Sequence, residues 1–512
     1  VPDTDVTEPD GTGRPDHAAR PDHDPRPDHD LRPDYDVVVV GGGFAGLAAA
    51  LEASAAGASV LLAEAEPRLG GSSELSGGIV MAAGTSVQRA AGITDSAAAL
   101  ARDYLLFTQA SVTPAVARAL AGGTAPLVDW LIGHGVEFLD TLVYAAEEPV
   151  PRSHVTRRGG RGIVRALARA LGAGVDVALG RRVDRLVVRD GRVCGVGVGD
   201  DQVSAGAVVL TTGGFGANRA LWPERLPELV DAQESAWYVG AAGALGDHLR
   251  LGPQAGAAVT GRGRGLLLAT PGFAASRLEV YFPGWLVMVD RGGARRVDES
   301  TSYSVMELAH KRHGPLYAIF DDAARRAARP DRAPRYKQTI PGMPETGAGS
   351  NWTTPVIDEM VAAGRVKRAA TLAGLGPLIG VDGAGLETSV ARYNAGAAAG
   401  ADPDFGKDPR FLDQVATPPY YGCPLRLGIL ALTGEGLAVD AGARVLDPAG
   451  AAVPGLYAAG ECAAGVLGTA YVGSGNAIAA ALVFGRIAGT AAAAETAVNV
   501  LSRPTTTAGS SP

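Results

Sequence analysis

The chain has 512 residues, 46% of them hydrophobic and 20% charged, with a formal net charge of −8. That length supports a large core and about two to four domains, and the acidic balance, without any dense Lys/Arg run, excludes a nucleic-acid partner. Cys194, Cys423 and Cys462 form no CxxC pair, so no disulfide framework and no metal site are expected, and a reducing, cytoplasmic setting suits them. No signal-peptide core is read near the N-terminus, and no long apolar stretch lacks glycine, so no membrane span is expected.

Residues 1–33 read as a disordered tail. Proline- and charge-rich RPDH or RPDY units begin at Arg14, Arg20, Arg26 and Arg32, and such composition buries too little apolar surface to offset the entropy of ordering. His17, His23 and His29 read as part of a solvated tail rather than as metal ligands. A buried strand at 37–40, an Ala-rich helix to Ala56 and a strand at 58–63 make a βαβ opening. Strand-like runs follow at 183–188, 193–198 and 207–210, with a turn at Asp190 and Gly191. Residues 34–236 are expected to form the first part of one domain. Residues 237–410, broken by Pro and Gly, read as a cap inserted into it, and 411–492 as its second part. That part ends in an Ala-rich helix over 476–490, with a loose C-terminus over 493–512.

The segment Gly41-Gly-Gly43-Phe44-Ala45-Gly46 carries GxGxxG between a strand and a helix, with Glu64 closing the next strand. In that setting the motif signals a dinucleotide. Gly41 permits the tight turn, Gly43 lets a pyrophosphate reach the backbone, and Gly46 lets helix and strand pack closely. The helix N-terminus faces the phosphates with free N–H groups, and Glu64 accepts from ribose hydroxyls. A second glycine loop, Gly70-Gly71-Ser72 with Ser76-Gly77-Gly78 beyond, points to FAD rather than NAD, because in flavoproteins such a loop closes over the pyrophosphate. Downstream, Gly460 and Glu461 end a strand, where Glu461 could hold the ribityl chain. The helix start at Asn476, Ala477 and Ile478 is expected to aim N–H groups at the N1/O2 side of the flavin.

These segments, with AVVLTTGGFGAN at 207–218, GALGDHL at 243–249, RVDESTSY at 296–303 and GTAYVGSGNAIAAALVFGRIAG at 468–489, resemble the flavoprotein family of soluble fumarate reductases and 3-ketosteroid dehydrogenases. The resemblance implies an α/β fold: a Rossmann-type FAD-binding domain of the glutathione-reductase-like kind with an inserted α+β cap. It adds Val183, Thr212, Gly213, Gly214 and Asp247 to the cofactor residues. No His stands in the 70–76 stretch, where membrane-bound relatives attach the flavin, so non-covalent FAD is expected. Tyr303 stands where fumarate reductases carry an arginine acid, and the loop at 468–476 lacks their second substrate arginine, which argues against a dicarboxylate.

The ketosteroid 1-dehydrogenases look closer. By resemblance, Tyr471 and the Gly475 N–H bind the substrate ketone, Tyr303 removes the adjacent proton, and Tyr144 assists. Gly475 is expected to be glycine so that its N–H can meet a ligand. The stretch at 150–154 resembles one in ketosteroid 4-dehydrogenases, so Arg152 and His154 are candidates for lining the pocket. The expected reaction is flavin-dependent insertion of a double bond beside a ketone in a steroid-like or other cyclic substrate, with an unidentified electron acceptor. The alternative is reduction of an activated double bond, and a flavoprotein without catalytic function is a third reading.

Overall fold

The computed structural model describes residues 32–144, 148–273, 282–329 and 351–501. Nearly all of the expected N-terminal tail, and residues 502–512, lie outside the described residues.

The run YDVVVV has no polar residue after Asp36, as a strand covered on both faces requires. It forms Tyr35–Val40 in the middle of a sheet whose order is Arg444–Leu446, Ala452–Ala458, Asp201–Leu210, Tyr35–Val40, Val60–Ala63 and Val175–Ala178. All but the first of these run parallel. A hairpin of Arg185–Arg189 and Arg192–Val198 joins through Asp201–Leu210. The strand ends are level: Val40 pairs with Ala63 on one side and Leu210 on the other, and Leu210 pairs with Ala458. Four loops therefore leave one edge of the sheet together, which is where open α/β sheets bind ligands.

Two helices cover this sheet. Phe44–Ala55 and Asn476–Leu501 approach so closely that a Cβ at Gly485 would lie 2.4 Å from Ala45 O, and one at Gly489 would lie 2.2 Å from Ala49 O. The second helix is apolar enough over Asn476–Val498 to cross a bilayer, yet Leu482, Phe484, Ala488 and Ala492 are wholly buried in the domain core. It runs past 490 to Leu501, into the stretch expected to be loose, because its small residues keep packing on the sheet.

The cap is built on a six-stranded sheet. Its long strand, Tyr420–Thr433, pairs with Trp237–Tyr238, Gly265–Thr270, Leu316–Asp321 and Lys367–Ala369, and Val287–Val289 continues the sheet beyond Leu316–Asp321. The cap sheet thus extends past the boundary expected at residue 410, and the FAD sheet resumes only at Arg444. Trp352 fills the cap core, its ring about edge-on to Trp285 and Phe320. A smaller antiparallel sheet of Ile79–Met81, Ser153–Thr156 and Phe138–Val143 lies beside the closing loop.

Two predictions follow from this packing. A Cβ at Gly46 would sit 1.8 Å from Gly41 O, so Gly46→Ala must push the helix off the strand. The expected result is protein that purifies with little flavin, read from its absorbance at visible wavelengths.

The second concerns His154, His248 and His310. All three are buried, and burial pushes each from the ordinary 6.5 down to about 4. Unfolded, these rings take up a proton near pH 6.5, whereas the folded protein refuses it until about pH 4. Their contribution to stability is therefore complete above pH 6.5 and is lost as the pH falls towards 4. Thermal midpoints should decline across that window, and His154→Gln should flatten the decline; a midpoint unchanged from pH 6.5 to 4 contradicts the burial.

Candidate functional site

The glycine loops meet along the carboxyl edge of the main sheet. Gly41 N donates to Ala63 O at 2.7 Å and Thr211 N to Val40 O at 2.8 Å, while the Thr211 hydroxyl donates to Gly41 O at 2.8 Å. Glu64 is buried here. One of its oxygens accepts from Gly42 N at 2.6 Å and the other from Glu66 N at 2.8 Å. Each oxygen keeps a second lone pair for a ribose hydroxyl. The second loop closes on the first: Gly70 N donates to Gly42 O at 2.9 Å, and Phe44 N donates to Ser73 Oγ at 3.0 Å. Phe44 and Ala45 are buried, and Ala45 packs beside Gly460.

Whether this edge fits FAD can be tested on its glycines. A Cβ at Gly71 or at Gly213, both half-buried, would meet no atom within 4 Å, so both border open space beside the first glycine loop. Gly214 does the opposite, since a Cβ there would strike Glu461 Oε1 at 2.0 Å. It lets Glu461 come close, with that oxygen accepting from Thr433 N at 2.7 Å and from the Thr433 hydroxyl at 2.8 Å. Burial raises the Glu461 carboxyl above its ordinary range despite these bonds. A groove floored by glycine backbone, with Glu64 towards one end and Glu461 towards the other, is the donor and acceptor set a dinucleotide needs. When bound, FAD supplies a two-electron hydride acceptor.

Tyr303 and Tyr471 belong to one apolar cluster with Leu266, Leu268 and Ile429. Their ring centroids are 6.2 Å apart, with planes inclined at 35°. Tyr303 opens the helix Tyr303–His313, and its hydroxyl lies 2.8 Å from Ser474 Oγ. Tyr471 Oη accepts from Ala477 N at 3.1 Å. Burial pushes the Tyr471 phenol up to about 12, against the smaller opposing effect of that N–H, so it stays a neutral donor across the physiological range. Gly475 has φ +93°, and a Cβ there would lie 2.6 Å from Met81 N. The strand Ile79–Met81, and not a ligand as expected, occupies the space that forbids a side chain at this position.

Several sequence-predicted residues are engaged by other parts of the fold. Arg152, 2% exposed, is spent on two acids: Nε and Nη2 donate to Asp95 at 2.7 and 3.0 Å, and Nη1 lies 2.9 Å from Asp103. His154 Nε2 meets Thr85 Oγ1 at 2.8 Å and Nδ1 meets Arg152 O at 3.0 Å. With both nitrogens used and the ring buried, neither His154 nor Arg152 offers a group to a substrate. Tyr144 follows the strand Phe138–Val143, whose last residue pairs with Ser153, the residue whose hydroxyl donates to Ser474 O at 3.0 Å.

Ser76 Oγ donates to Ser73 O, and Ser76 and Gly78 pack against the start of the helix Gly159–Ala170, while Gly77 is exposed. Asp247 is ion-paired with Arg182 and Arg250, and Val183 O accepts from Arg250 at 3.2 Å. At the start of the long helix, Asn476 N donates to Gly473 O and Ala477 N to Tyr471. Of the three N–H groups expected to face the flavin, only that of Ile478 has no acceptor among the described residues. Thr212 continues the loop between Thr211 and Gly213.

Sequence reasoning missed Ser474 as the partner of Tyr303, Ser73 as the bridge between the glycine loops, and the apolar wall of Leu266 and Leu268. The wall has a signal, since alternate residues of GLLLAT share a face. Ser474 stands between two glycines and gives none.

Comparison with known proteins agrees with the groove. The family model described as FAD binding domain matches residues 36–478. The chain is 31% identical over 475 residues to "Fumarate reductase (cytochrome)" of Shewanella frigidimarina, covering 89% of this chain and 76% of the relative. It is 26% identical over 572 residues to the 3-oxosteroid 1-dehydrogenase of Mycobacterium tuberculosis, covering 88% and 97%. A crystal structure of 3-ketosteroid-delta4-(5alpha)-dehydrogenase from Rhodococcus jostii with 4-androstene-3,17-dione superposes with a TM-score of 0.71 at 25% identity, covering 90% of this chain and 96% of that one. The chain belongs to this FAD-binding family of fumarate reductases and ketosteroid dehydrogenases, and is an FAD-dependent oxidoreductase acting on carbon–carbon bonds.

Proposed function

We propose that the protein is a dehydrogenase that inserts a carbon–carbon double bond beside the ketone of a steroid-like or smaller cyclic substrate. The observation that carries this reading is the meeting of two phenols in one apolar cluster, with ring centroids 6.2 Å apart. Tyr471 keeps its proton and receives Ala477 N–H on its oxygen, so its O–H points away as a donor for a carbonyl. The Gly475 N–H has no acceptor among the described residues and is the second donor. Two such donors stabilise the enolate that forms as the α-proton leaves. Tyr303 takes that proton in its phenolate form, its own proton having left to solvent beforehand, and Ser474 Oγ, 2.8 Å away, donates to that phenolate until it is consumed. FAD, when bound, would supply the acceptor for the β-hydride, and on this reading it is held without a covalent bond.

A second reading has a specific observation behind it. The relative at 31% identity is named a fumarate reductase, and the same residues run backwards would protonate and reduce an activated alkene. The apolar wall and the spent Arg152 favour an uncharged alkene over a dicarboxylate.

Tyr303→Phe should lower kcat by about 10²- to 10⁴-fold, as loss of a general base does. Tyr471→Phe should lower it by about 10²- to 10³-fold, as loss of an oxyanion donor does. Both should retain FAD, and near-normal turnover in both removes the mechanism. Under anaerobic conditions, bleaching of the flavin by saturated cyclic ketones supports dehydrogenation; reoxidation of the reduced protein only by alkenes supports the reverse. Acid denaturation should release all flavin into the supernatant, and flavin remaining on the precipitated polypeptide rules out the non-covalent assignment.

A further inference from the structure

Tyr238 lies outside every motif discussed above, yet the fold makes a slot for it. It ends the short strand Trp237–Tyr238 that leads into the cap sheet, where it pairs with Leu430. A Cβ at Gly216 would come within 2.3 Å of its ring, and one at Gly240 within 2.1 Å of its hydroxyl. Two glycines from separate segments thus leave room for one phenol. The hydroxyl lies 3.2 Å from Ser72 Oγ, which also accepts from Ala241 N at 3.0 Å. Ser72 is in the second glycine loop, next to Gly71 and its open space. Burial, with the nearby charge of Glu461, keeps the Tyr238 phenol protonated. The ring therefore touches the second glycine loop on one side and, on the other, the segment of Gly216, two residues from the Gly214 that lets Glu461 come close.

We propose that Tyr238 is a residue of the FAD site: its phenol, seated between Gly216 and Gly240 and joined to Ser72, ties the strand entering the cap to the second glycine loop and holds that loop over the dinucleotide. FAD then binds more tightly because the loop is ordered beforehand. The role concerns the cofactor alone and does not depend on which substrate or direction applies.

The test is FAD affinity, measured by flavin fluorescence on apoprotein titrated with FAD, alongside the thermal midpoint of each apoprotein. Tyr238→Phe keeps the ring in its slot and removes only the hydroxyl. It should raise the Kd for FAD about 3- to 10-fold, the range for one hydrogen bond, with no change in the apoprotein midpoint. Ser72→Ala should weaken binding at least as much, since it also removes the bond from Ala241 N, and the double variant should bind no more weakly than Ser72→Ala alone, because the bond to the tyrosine is then already gone. Unchanged Kd in both single variants overturns the proposal. So does a double variant in which the two losses multiply, or an apoprotein midpoint that falls in step with affinity, which marks Tyr238 as a packing residue only.

Discussion

The peptide at residues 474 and 475 is fixed from three directions, and the pocket exists because of it. Met81 N donates to Gly475 O at 3.2 Å and Ser153 Oγ to Ser474 O at 3.0 Å, while Ser474 Oγ holds the Tyr303 hydroxyl at 2.8 Å. The first two bonds dock the closing loop on the small antiparallel sheet. The third carries the cap down onto that loop. Tyr471, three residues earlier, then has little freedom, and its oxygen is tied to Ala477 at the start of the long helix. A side chain at 475 would collide with the strand Ile79–Met81, lifting the loop and parting both tyrosines. Glycine here is a condition of the two phenols meeting.

The cap loop that leads to Tyr303 is anchored by a buried ion cluster. Arg295 forks onto Glu299 at 3.0 and 2.8 Å and onto Asp402 at 2.9 and 3.0 Å, and Lys407 donates to Glu299 and to Leu286 O, each at 3.0 Å. Burial works against charge on Glu299, but Lys407 and Arg295 outweigh it and hold the carboxyl below its ordinary range. Such clusters add little net stability, because desolvation offsets most of the attraction; what they supply is one geometry in place of several. Here that geometry belongs to the loop from 298 to 303, whose last residue is Tyr303.

How legible the molecule was in its sequence depended on the range of each interaction. The glycine loop at 41–46 is a local device, with its turn, its close approaches and Glu64 all within one βαβ unit, so spacing alone revealed it. Tyr303 and Tyr471 stood out through a resemblance of short segments, not through any pattern in composition. Long-range pairing left no trace: nothing in YYGCPLRLGILALT tells that it is the spine of the cap sheet rather than a strand of the FAD domain. Arg152 and His154 misled for the same reason. Their motif was local, but Asp95, Asp103 and Thr85, which absorb their polar groups, come from other segments. A polar residue in a recognisable motif is available to a ligand only if the fold leaves it without a partner.

That last point bears on substrate charge. A carboxylate brought into an apolar pocket needs a cation to replace the water it loses. Around the two tyrosines the walls are Leu266, Leu268, Ile429, Leu432 and Val239. Arg152, the candidate cation, has all three guanidinium nitrogens committed to acids. To free it for a substrate would strand Asp95 and Asp103, one of them almost wholly buried, exchanging one uncompensated charge for another. On the proposed reading, the site as formed by the described residues selects by what it withholds: a neutral carbonyl gains two hydrogen bonds and loses little solvation, whereas an anion forfeits its hydration for phenols and hydrocarbon. The same electrostatics holds whichever way the electrons run, so the choice between forming and reducing the double bond rests on the flavin and its partner, and the choice of a neutral substrate rests on these side chains.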